Sequence, residues 1–81
     1  MRIEVLGPGC PKCHGAAENV REALVELGRS AEVVSVTDIN EMIRKGVMMT
    51  PAVIVDGRIA VQGKMPTVDQ MKAILKKEQE A

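Results

Sequence analysis

The sequence predicts an α/β fold: a mixed four-stranded sheet with helices on both faces, in the order β-α-β-α-β-β-α. Three observations lead there. Apolar residues switch between strict alternation and helical spacing along the chain. An Asp56-Gly57 pair joins two short β-type runs. Polar capping signals precede the second and third helical stretches. Eighty-one residues are expected to make one domain, 1–81.

Each element has a local reason. "RIEVL" (2–6) alternates, with Ile3 and Val5 on one face. From Cys13 to Gly28 the spacing is helical. Cys13, Ala17, Val20, Leu24 and Leu27 form one stripe, while Glu18, Arg21, Glu22 and Glu26 face water and Gly28 closes the helix. "AEVVSV" (31–36) is a second strand. Residues 37–46 form a short helix, opened by Asp38 with Glu41 and stopped by Gly46. Residues 51–63 are a hairpin turning at Asp56-Gly57. Residues 67–77 are the last helix. Thr67 and Gln70 make its capping box, and Val68, Met71 and Leu75 its apolar stripe. The first βαβ unit requires a parallel pair and the hairpin an antiparallel one, hence a mixed sheet.

Composition narrows the function. Lys+Arg and Asp+Glu both number 11, so no charge excess points to nucleic acid or to an anionic membrane surface. Phe, Trp and Tyr are absent, which removes aromatic platforms for bases and leaves the core to aliphatic residues and methionine. The longest apolar stretch, "VMMTPAVIVDG", is too short and too interrupted to span a bilayer. The opening "MRIEVLGPG" lacks the apolar run of a secretory signal. A cytoplasmic location is therefore expected. There, a close cysteine pair is more often catalytic or metal-binding than structural.

That pair lies in "GPGCPKCHGA" (7–16), between the first strand and the first helix. Open α/β sheets place their chemistry at this carboxyl end of a parallel strand. Pro11 suits the first helical position, which puts Cys10 at the N-cap and Cys13 one turn later on the buried stripe. Bare amides and the positive end of the helix dipole then converge on Cys10, with Lys12 adding charge. A free thiol has a pKa of about 8.5, and at a helix N-terminus within a Cys-X-X-Cys it can fall to about 7 or lower. Cys10 is thus the expected nucleophile toward a disulfide, and Cys13 the shielded resolving thiol. Residues 7–9 read as a flexible loop that lets a partner backbone come close.

The chain resembles the thioredoxin fold, in particular the very small thioredoxin-like proteins of archaea and bacteria, which are close in size to glutaredoxins. The resemblance runs over essentially the whole chain. It rests on "GCPKC" after the first strand, "TPAVIVDG" before the hairpin, and the order of elements between them. It implies a thiol–disulfide oxidoreductase whose substrates are protein disulfides, with a reductase or a low-molecular-weight thiol as electron donor. The only redox group implied is a Cys10–Cys13 disulfide, with no added cofactor and no metal. It also implies that Pro51 is cis, that the backbone of Thr50 pairs with the substrate chain, and that Gly63 lines the substrate groove. Thioredoxin proper has a Trp where Gly9 stands and Gly-Pro where Pro11-Lys12 stands. Residues that hold glutathione in glutaredoxins are not evident, so the donor stays open. Thioredoxin also buries an acid beneath its disulfide. Glu4 is the nearby candidate, but a residue pointing away from Ile3 and Val5 is the simpler reading, since buried carboxylates are rare.

Three rivals remain. Cys10 and Cys13, with His14, offer soft ligands for Cu(I) or Zn(II), although small copper carriers run β-α-β-β-α-β and this chain is expected to end in a helix. "CPKCH" also matches the C-x-x-C-H haem-attachment pattern. A binding module with a merely structural cysteine pair is the third. His14 is expected to face solvent. Met42, Met48, Met49, Met65 and Met71 are read as core residues replacing aromatics, with Met48 and Met49 also placed to border a substrate groove.

Overall fold

The computed structural model describes the backbone of residues 2–9 and 11–80 and the side chains of 2–9 and 11–77. Among these residues the order is β1 (Arg2–Leu6), α1 (Pro11–Leu27), β2 (Glu32–Val36), α2 (Ile39–Arg44), β3 (Ala52–Val55), β4 (Arg58–Gln62) and α3 (Val68–Glu80). The strands lie in the order β2-β1-β3-β4. β1 is parallel to β2 and antiparallel to β3, and β3 is antiparallel to β4. No helix among the described residues is long and apolar enough to cross a membrane.

Alternation along β1 and β3 builds two cores. Ile3, Val5, Val53, Val55 and Val61 face α1 and α3, meeting Ala16, Ala17, Val20, Ala23, Leu24, Met71 and Leu75. Leu6, Ala52 and Ile54 face the other way, onto Met42 and Val47. The alanines of α1 let it sit close to the sheet without aromatic filler. α1 and the residues after it are tied to α3 and the residues before it by polar contacts: Asn19 Nδ2 donates to the Pro66 carbonyl (2.8 Å), an Arg29 guanidinium N–H to the Leu75 carbonyl (3.0 Å), and Lys72 pairs with Glu26 (3.1 Å).

The local signals act as their chemistry requires. Thr67 and Gln70 cap each other's backbone amides at 3.1 and 2.9 Å. Asp56 and Gly57 have φ of 48° and 85°, the two positive values of a type I′ hairpin turn. Asp38 caps α2 by accepting from the Asn40 amide (2.9 Å), so the helix starts after it and is shorter than the 37–46 expected. Glu41 does not complete a box; its carboxylate pairs with Arg44 instead.

Two expectations need correction. Of the five methionines assigned to the core, Met42 and Met71 are buried, but Met48, Met49 and Met65 are exposed. Glu4 does point away from Ile3 and Val5, yet it is buried, at 7% exposure. It lies on the α2 face of the sheet, and Lys45, the C-cap of α2, reaches its carboxylate at 3.0 Å, with Arg2 at 3.8 Å. Burial is tolerated because the charge is paired.

Lys45→Met leaves that carboxylate without its closest cation. Loss of one partner of a fully buried pair costs roughly 3–5 kcal/mol. Lys45 is partly exposed, so we expect about 2 kcal/mol here, largely recovered in Glu4→Leu/Lys45→Met. Denaturant unfolding followed by far-UV circular dichroism measures both, the chain having no aromatic fluorophore.

Candidate active site

β1 ends at Leu6, α1 begins at Pro11, and residues 7–9 bend between them. Cys10 lies outside the described residues, so the placed half of the cysteine pair is Cys13. It sits in the first turn of α1 and is buried, 7% exposed, on the face that packs against the sheet. Pro11 is the first helical residue, where its missing N–H has no consequence. Pro11 and Lys12 are exposed. The first turn carries no acidic side chain, so nothing there offsets the positive end of the helix dipole.

Gly7 fixes how close the strand end comes to the sulfur. A Cβ at this position would lie 2.1 Å from Cys13 Sγ, 3.0 Å from Cys13 Cβ and 3.9 Å from Thr50 Cβ. Its N–H donates to the Val36 carbonyl (2.9 Å), which carries the β1–β2 ladder one residue past the strands and pins Gly7 in place. Gly7 is therefore a required glycine for reasons of space, and a buried one, where the sequence suggested only a loose approach loop.

The same contact brings Thr50 to the site. The Thr50–Pro51 peptide bond is cis, and Pro51 is buried. The Pro51 carbonyl accepts from the Gly63 N–H (3.0 Å), so the entry to β3 is paired with the residue that follows β4. Gly63 has φ of 81°, a backbone conformation that favours glycine; a Cβ there would also fall 3.2 Å from Met49 Cβ and against the flexible end of that side chain, which can move aside. Gly7, Cys13, Thr50, Pro51 and Gly63 thus form a connected chain of contacts.

Two concavities flank it. One, of about 50 Å³, is lined by Cys13, Gly7, His14, Ser35 and Thr37, among others. His14 is exposed, as expected, yet it borders this opening to Cys13. The other is an open apolar groove of about 290 Å³ lined by Pro8, Ile39, Ile43, Met48 and Thr50, among others. Met48 is 88% exposed, and Ile39 and Ile43 are about as exposed as each other. Among the described residues, no group of three or more His, Cys, Asp or Glu side chains is placed to hold a metal ion.

Sequence reasoning missed one further residue. The Gln62 side-chain oxygen accepts from the backbone amides of Met48 and Met49, the latter at 3.1 Å. No local pattern announces a glutamine bonded to a loop so far from it along the chain.

The βαβ unit, the hairpin after a cis-proline and the cysteine-bearing helix start define a thioredoxin-like α/β fold. The chain belongs to the thioredoxin family: the model of the thioredoxin domain matches residues 1–76. It is 49% identical over 74 residues to a thioredoxin of Methanocaldococcus jannaschii, covering 91% of this chain and 85% of the relative. It is 32% identical over 75 residues to a thioredoxin of Methanothermobacter thermautotrophicus, covering 93% and 97%. These relatives support a thiol–disulfide redox role in general.

Gly7→Ala forces the first turn of α1 away from the strand end. Overpacking of this kind costs about 1–3 kcal/mol. We expect a loss of that size in denaturant unfolding, together with faster alkylation of Cys13 by a bulky reagent in the reduced protein.

Proposed function

We propose that the chain is a dithiol–disulfide oxidoreductase that reduces disulfides of partner proteins through Cys10 and Cys13. The observation that carries this reading is the meeting of buried Cys13 with Gly7 and Thr50, beside the cis Thr50–Pro51 bond. A thiol shielded there, three residues after Cys10 in the sequence, suits the resolving role. The unneutralised start of α1 and the neighbouring Lys12 favour a thiolate at Cys10.

In the proposed cycle the Cys10 thiolate attacks one sulfur of the substrate disulfide. A mixed disulfide forms and the first substrate thiolate leaves. Cys13 loses its proton and attacks the Cys10 sulfur. The Cys10–Cys13 bond closes, and the second substrate thiolate leaves. The substrate gains two electrons and the protein dithiol loses two. A thiol or a reductase then restores the dithiol. The backbone at Thr50 pairs with the substrate chain, Gly63 leaves room for it, and the groove of Pro8, Ile39, Ile43 and Met48 takes apolar side chains beside the substrate cysteine. The electrons need no added cofactor, and the reading places the reaction in the cytoplasm.

The test is reduction of insulin with a dithiol donor, read as turbidity, with metal analysis of the fresh protein. Cys10→Ser and Cys13→Ser are each expected to abolish turnover, and Cys13→Ser to trap a mixed disulfide through Cys10. Turnover by Cys13→Ser at the native rate, or no reduction by the native chain together with stoichiometric bound copper or zinc, overturns the reading.

A further inference from the structure

We infer that Gln62 is a positioning residue for protein substrates. It holds the segment Met48–Thr50 in the conformation that meets the substrate chain. The inference rests on the redox reading above and adds to it a residue outside the cysteine motif and the proline turn.

Residues 45–51 carry the chain from α2 to β3 without regular secondary structure, and Met48, Met49 and Thr50 are exposed. Such a segment has little packing of its own to fix it. The Gln62 side-chain Oε1 accepts from the two consecutive amides of Met48 and Met49. One residue on, the Gly63 N–H takes the Pro51 carbonyl at 3.0 Å. Thr50 lies between these two fastenings. Using the backbone amides as the anchor leaves the Met48 side chain to line the apolar groove.

A sheet irregularity aims Gln62 at this segment. Ile54 pairs with Ile59, but Val53 pairs with Val61, so Ala60 is an extra residue in β4. After this bulge Val61 joins the core beneath α1 and α3, and Gln62 stands opposite Ala52 on the α2 face, from which the segment returns. Regular pairing from Ile59 onward would instead set Val61 opposite Ala52 and turn Gln62 to the other face.

Steady-state kinetics of the full chain test the inference with two substrates: insulin, which needs the segment, and a small aromatic disulfide, which does not. Gln62→Met keeps the length of the side chain and removes its acceptor. We expect KM for insulin to rise about tenfold, since each hydrogen bond contributes a modest net term. The insulin kcat and the small-disulfide rate should stay within about twofold. Gln62→Glu keeps an acceptor oxygen and should restore the native KM. Backbone hydrogen exchange gives a reading independent of activity: the Met48 and Met49 amides are protected in the native chain and in Gln62→Glu, and exchange freely in Gln62→Met. Parallel loss toward both substrates, failure of Gln62→Glu to rescue, or unprotected native amides overturns the inference. A native chain that reduces neither substrate while those amides are protected sinks the redox reading and leaves the anchoring role of Gln62 standing.

Discussion

The arrangement depends on one steric constraint: the sulfur of Cys13 lies where the side chain of residue 7 would be. With hydrogen there, α1 can begin against the end of β1, and the Cys13 side chain in its first turn can be buried. The ladder bond from Gly7 to Val36 holds the strand end rigid, so the sulfur is located by the sheet and not by a mobile loop. Thr50, which leads into β3, the antiparallel neighbour of β1, reaches the same point. In the proposed reaction a thiol fixed in this way is limited in reach, and its partners must come to it.

Those partners would meet a face that is apolar but bounded. The two sides of the sheet have divided tasks. The α1 and α3 side supplies most of the packing and buries Cys13. The α2 side carries the paired Glu4, the groove and Gln62.

What was legible in the sequence was local. Caps, the Asp56-Gly57 turn, the stripe of α1 and the helix start after the cysteine motif each follow from residues within a turn or two of one another. What was not legible involved partners distant along the chain. Glu4 reads as a surface residue until Lys45, 41 positions away, is folded against it. Met48 and Met42 have the same chemistry and opposite burial, because α2 ends between them. Gly7 reads as freedom, whereas its task is proximity to a sulfur six residues on. The role of Gln62 depends on a one-residue offset at Ala60 that propensity does not encode.

That offset has a consequence for the molecule among its neighbours in solution. β4 is an outer strand of the sheet, and an outer strand offers its unused amides and carbonyls to any passing chain. The surplus residue at Ala60 interrupts their even spacing midway along β4. A second copy that tried to lengthen the sheet here would find no continuous row of amides and carbonyls to join, so the kink that aims one glutamine also makes this edge a poor template for an added strand.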